Sequence, residues 1–183
     1  MEKIVTSLLR ISTKIKKRQG VINFASTLAL AKSLLIIMPD NPDHREIARN
    51  FISDIKNNFP DAKFVFLTSE HNIRLLGVNQ PEGTIFISPD NINRLGLPKK
   101  NIRHRIIAPD FDIIIDLNFD FHLLSTFLCQ ISRAPVKICL DNQDREPYYN
   151  FSFRTTSQKN LEEKYQVLTK YLGVFAHSTL SKW

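Results

Sequence analysis

Glycine is scarce in this chain, with five residues in 183 and none between Gly20 and Gly77. That spacing excludes the glycine-rich turn by which a P-loop or a dinucleotide fold brings its backbone close to a pyrophosphate. Cysteine is scarcer still. Cys129 and Cys139 cannot build a disulfide framework and show no zinc-ligand spacing. Both sit in apolar stretches, where a free thiol behaves as a small hydrophobe, and a reducing compartment suits them. Histidines occur at 44, 71, 104, 122 and 177, with no pair at metal-ligand spacing on a helix. No metal and no cofactor are expected. A Gly-x-Ser-x-Gly elbow is missing too.

Long apolar runs are also lacking. The longest mainly apolar stretch, Val21 to Ala31, is interrupted by Asn23, Ser26 and Thr27 and is too short to span a bilayer. Leu28-Ala29-Leu30-Ala31 resembles a signal cleavage site, but the segment before it is unusually long for a signal. The expectation is a cytoplasmic protein, peripheral at the inner face of the membrane if its N-terminal segment binds lipid.

The chain carries a net charge of +7 that is unevenly placed. Residues 1–32 hold seven basic residues against Glu2 alone, whereas residues 33–183 hold 18 basic and 17 acidic residues. A near-neutral body argues against a nucleic-acid partner, which usually meets a positive folded face. The charge belongs to an N-terminal arm, residues 1–32. Over Glu2 to Arg18 the arm has helical amphipathicity. Ile4, Val5, Leu8, Leu9, Ile11 and Ile15 fall in one arc, with Lys3, Arg10, Lys14, Lys17 and Arg18 opposite. Three readings fit: packing on its own domain, docking on a partner protein, or binding an anionic membrane surface.

From Ser33 onward strands and helices alternate. Strands are expected at 34–38, 63–67, 84–87, 112–117 and 136–140, and helices at 44–58, 70–76, 121–132 and 161–171. Strands apolar throughout and separated by helices imply a parallel sheet covered on both faces. Residues 33–183 therefore read as a single Rossmann-like three-layer α/β domain with a mostly parallel sheet of about five strands. Ligands of such sheets bind at the carboxyl ends of the strands. The candidate rim holds Asp40 and Asn41, Thr68 and Ser69, Ser88 and Asp90, Asn118 and Asp120, and Asp141 and Asn142. These are also ordinary turn and cap residues. The turn after the first strand, Pro39-Asp40-Asn41-Pro42-Asp43-His44, is acidic and proline-rigid, and would repel a phosphate.

Several segments resemble the N-terminal half of family 9 glycosyltransferases, the heptosyltransferase group. Leu34 to Leu67, with Asn57-Asn58-Phe59-Pro60-Asp61-Ala62-Lys63, resembles their opening strand–helix–strand. Phe111 to Leu117 resembles their fourth strand, and Ser125 to Lys137 the next helix and strand. Arg145-Glu146-Pro147-Tyr148-Tyr149-Asn150 and Lys159 to Val174 resemble later segments. The likeness covers residues 33–175 in order.

It implies a Rossmann-like, acceptor-binding half of a cell-envelope enzyme of the lipopolysaccharide type, with a sugar acceptor as partner. The donor-binding half of that family has no counterpart in the eight residues after 175. Counting back from Phe59-Pro60, Asp43 stands where the family has a glycine and His44 where it has a base-like aspartate. His44 is thus a catalytic candidate with Asp43 beside it, and the bland alternative is that Asp43 caps the helix. Asp40, Asn41, Asn118, Asp120 and Asp141 are the ligand-binding candidates. Asp43, His44, Asn118 and Asp120 would converge if the first and fourth strands are neighbours. Two functions stay open: a non-catalytic binding or scaffold module, or an acceptor-binding component that needs a separate donor-binding partner.

Overall fold

In a computed structural model the chain is described over residues 22–69, 83–140, 144–145, 148–155 and 160–177. The helix expected over 2–18, the helix expected over 70–76, and Asp141 and Asn142 lie outside the described residues. The elements run α1 (Phe24–Ala29), β1 (Ser33–Ile37), α2 (Pro42–Asn50), α3 (Ile52–Asn58), β2 (Lys63–Ser69), β3 (Ile85–Ile87), α4 (Lys100–Ile107), β4 (Ile113–Asp116), α5 (Leu123–Ile131), β5 (Val136–Leu140), β6 (Phe151–Phe153) and α6 (Leu161–Ala176). The strands form one sheet in the order β3-β2-β1-β4-β5-β6, and every pairing is parallel. This is an open α/β sheet of the Rossmann-like type, with one strand more than expected.

Alternation within each strand sorts its side chains onto two faces. Leu34, Ile36, Ile113, Ile115 and Ile138 meet Leu28, Ala48, Ile55, Tyr165 and Leu168 from α1, α2, α3 and α6. Leu35, Ile37, Ile114 and Cys139 meet Ile102, Ile106, Leu128 and Cys129 from α4 and α5. Both faces of β1 and β4 are therefore dry, which explains the apolar runs Leu34–Ile37 and Ile113–Ile115 within them.

Two differences from the expectation have clear causes. Residues 22–31, placed above in the arm, pack on the body. Leu28 is fully buried, and the Phe24 ring stacks on Phe151 of β6 at 3.8 Å between centroids. The single helix expected over 44–58 is two helices meeting at Phe51, whose φ of −98° and ψ of −2° interrupt the regular turn. Phe51 is 7% exposed and tilts against Tyr165 of α6 at 5.7 Å, so the break seats an aromatic in the core.

The entry to β1 is also fixed. One carboxylate oxygen of Asp112 accepts the Lys32 and Ser33 amides at 2.8 and 3.0 Å, tying the start of β1 to the residue preceding β4.

Candidate functional site

The strand order changes direction between β1 and β4, so the crevice of the sheet opens at their carboxyl ends. The chain leaves β1 through Met38-Pro39-Asp40. The Asp40 amide donates to Asn118 Oδ1 at 3.0 Å, joining the exits of β1 and β4. Asn118 is in turn held by Asp116, the last residue of β4, whose Oδ1 accepts the Asn118 amide at 3.0 Å and its Nδ2 at 2.8 Å.

The other oxygen of Asp116 faces a buried cation. Arg145 reaches it at 2.8 Å, and neither side chain has any exposed surface. The Tyr149 hydroxyl donates to the same oxygen, and Arg145 donates from its other terminal nitrogen to the Asn118 carbonyl. Burial works to raise the Asp116 pKa. The Arg145 charge and hydrogen bonds from Tyr149, Asn118 and Ser125 outweigh it, and the carboxyl stays below its ordinary value. Burial and the Asp116 charge push the Tyr149 phenol well above its usual range, so it remains a neutral donor. This network seals the β4 side of the crevice and positions Asn118 and Asp40. Arg145 and Tyr149 were not among the site candidates read from the sequence. An arginine 29 positions after its partner carries no local signal that it is buried.

The open space lies over β1, β2 and β3. A cleft of about 850 Å³ has Ile37, Leu67, Ile87, Phe121 and Leu124 among its apolar lining. Asp40, Thr68, Ser88, Arg94, His122 and Ser125 provide polar groups around it. His122 precedes the first turn of α5 without capping it by its side chain, and its Nε2 lies 3.9 Å from the Asp40 carboxylate. Thr68 is 4% exposed, and its hydroxyl has no hydrogen-bond partner, nor does His122 Nδ1. Buried polar atoms without partners are uncommon and are the groups a ligand would satisfy.

The sequence-derived residues divide. Asp40, Thr68, Ser69 and Ser88 line the cleft, whereas Asn41, Asp43, His44, Asp90, Asn118 and Asp120 do not. The expected adjacency of the first and fourth strands is present. His44 sits on the other side of the exit, half-buried, with its ring edge-on to Phe119 at 6.2 Å. Asp43 does not cap α2. Asn41 does so, its Oδ1 accepting the Asp43 and His44 amides at 2.9 and 3.3 Å. Arg94, His122 and Ser125 escaped the sequence reading because Ser125 and His122 sit at a helix start and Arg94 on a loop outside any motif. Asn150, in the segment that resembles family 9 enzymes, bridges to β5 by accepting the Lys137 amide at 2.7 Å and donating to the Pro135 carbonyl at 2.6 Å.

Residues 6–175 match the model of DUF6913, described as a family of unknown function. The chain belongs to this family. No curated protein matches it. Among solved structures it is similar to E. coli heptosyltransferase WaaC with ADP, at 16% identity and a TM-score of 0.58, over 82% of this chain and 48% of that one. The same enzyme with ADP-2-deoxy-2-fluoro heptose gives 18% identity and 0.59, over 82% and 50%. A family 9 glycosyltransferase from Veillonella parvula gives 12% identity and 0.61, over 81% and 42%. The chain thus spans half or less of the length of these enzymes. What it shares with them is the fold, glycosyltransferase-like and α/β. Among the described residues no group of side chains is placed to hold a metal ion, and no helix is long and apolar enough to cross a membrane.

Proposed function

We propose that this chain is a binding module built on a glycosyltransferase-like fold, with no sugar transfer of its own, and that its ligand occupies the cleft over β1, β2 and β3. One observation carries the proposal. The two α2 amides that an anionic phosphate would use after β1 are already taken by Asn41 Oδ1. A helix start capped by its own chain has fewer free donors for an anion. The Asp40 and Asp43 carboxylates beside it add repulsion, and Pro39 and Pro42 hold the turn rigid. The unsatisfied Thr68 hydroxyl and His122 Nδ1 favour the cleft as the place where a ligand binds.

A second reading draws support from the share of each enzyme that the chain covers, between 42% and 50%. In it, the cleft receives a sugar acceptor of the cell envelope, and a separate protein supplies the donor. In the binding-module reading the basic segment 2–18 is the attachment device, to a partner protein or to an anionic membrane.

The test is a nuclear magnetic resonance titration with envelope saccharides, followed by a transfer assay with ADP- and UDP-sugars. Shifts confined to Thr68, Ser88 and His122, without product, support the binding module. Product formed by the chain alone would refute it. Product formed only after addition of a donor-binding protein would favour the second reading.

A further inference from the structure

The edge of the sheet at β6 carries a continuous run of aromatic contacts. Phe24 of α1 stacks on Phe151 at 3.8 Å and meets Phe175 of α6 edge-on at 5.2 Å. Phe151 in turn lies 4.9 Å from Phe153, and Phe153 lies 5.9 Å from Tyr171. The run therefore joins α1, β6 and α6 on one surface. Phe24, Phe151 and Phe175 are half-buried, and Tyr171 and Val174 are 48% and 57% exposed. Val167, Tyr171 and Val174 recur at i, i+4 and i+7 along α6, so they form one stripe. That stripe points away from Tyr165, Leu168 and Leu172, which face the core. An apolar helix face turned outward and continuous with half-buried rings marks a surface that takes up another apolar element.

The identity of that element follows from where the chain enters. Ile22 packs against the same core cluster as Phe24, Phe151 and Phe175. Residues 2–18 precede it with six aliphatic side chains on one arc, from Ile4 to Ile15. The four steps from Arg18 to Ile22 reach at most about 14 Å, so the segment is tethered at the patch. A tether this short holds it at an effective concentration on the order of millimolar, so it outcompetes a second copy of the chain at micromolar concentration. As a helix it would be about 25 Å long, and the 16-residue α6 is about 24 Å long. The family match begins at residue 6 and ends at residue 175, so it takes in most of the segment together with α6.

We propose that residues 2–18 lie as a helix along α6, with Ile4, Leu8, Ile11 and Ile15 covering Val167, Tyr171 and Val174 beside the β6 edge. Lys3, Arg10, Lys14, Lys17 and Arg18 then point away from the body. The proposal does not rest on what the cleft binds. It leaves any attachment by this segment to its basic face, because the aliphatic face is occupied.

The experiment uses the full, isotope-labelled chain with a nitroxide attached at Lys14→Cys, on the basic side of the segment. Cys129 and Cys139 have no exposed surface, which restricts labelling to the new thiol. The expected result is loss of the amide signals of residues 151–153 and 171–176. Signals of residues 85–87, in β3 at the other edge of the sheet, should keep their intensity. Leu8→Glu/Ile11→Glu in the segment should restore the lost signals, and so should Val174→Glu on α6. Val174 is exposed, so its substitution leaves the core intact, and circular dichroism checks that each variant is folded. Signals of α6 and β6 untouched by the nitroxide would overturn the proposal. So would a loss that persists in Leu8→Glu/Ile11→Glu. A loss seen when nitroxide-bearing chain without isotope is mixed with isotope-labelled wild type would also overturn it, by assigning the patch to a second copy.

Discussion

Arg145 lies 2.8 Å from Asp116 with both side chains fully buried, and this pair holds the exit of β4. A buried ion pair is weak evidence of net stability, since desolvation offsets much of its attraction. Removing one partner is another matter. Arg145→Met leaves a carboxylate in a dry site with only neutral donors. It should cost about 3–5 kcal/mol in urea unfolding at neutral pH.

The pH dependence gives the sign. In the native protein the folded pKa of Asp116 is lowered, so its contribution is present above the ordinary carboxylate pKa and is lost as pH falls below about 4. In Arg145→Met, burial is left to dominate and the folded pKa rises above its ordinary value. The penalty should then shrink as pH is lowered from neutrality towards about 4. Urea midpoints for the two proteins over that range should converge. Parallel curves would show that the ion pair does not govern the site.

Asn41 is the second testable point. Its Oδ1 holds the first amides of α2, so Asn41→Ala should destabilise the protein by about 1 kcal/mol. Asn41→Asp preserves the acceptor and should cost much less. Equal losses in the two variants would contradict the capping role.

Much of this architecture can be read from residues alone, and the parts that cannot have physical reasons. β1, β2, β4 and β5 announce themselves because a strand covered on both faces carries a run of apolar residues, Leu34–Ile37, Phe64–Leu67, Ile113–Ile115 and Ile138–Leu140. β6 does not, since Phe-Ser-Phe is only three residues long and becomes a strand by pairing with β5 under Phe24 and Phe175. α4 hides behind its charges, with Ile102 and Ile106 its only buried residues. Asp40 and Ser88 are found by a general rule about strand ends. Arg145, Tyr149 and His122 are found only once the sheet has brought distant segments together.

Gly173 on α6 tests local packing. A Cβ there would stand 2.7 Å from Asn58 Oδ1, while Asn58 Nδ2 donates to the Thr169 carbonyl at 2.9 Å. A glycine inside a helix replaced by alanine gains roughly 1 kcal/mol where the new methyl group meets no neighbour. Here Gly173→Ala should forfeit that gain by displacing Asn58. In an Asn58→Ala background the same substitution should stabilise. Additive effects in the double-mutant cycle would sink this account.

The central claim is that this chain keeps a glycosyltransferase-like fold while its β1–α2 turn has no place for a nucleotide phosphate. Calorimetric titration of the full chain with ADP and with an ADP-sugar tests it most directly. The account predicts no saturable heat at concentrations up to about 1 mM, equivalent to less than about 4 kcal/mol of binding free energy. Saturable micromolar binding of either ligand, weakened by substitution at Asp40 or Asn41, would contradict it.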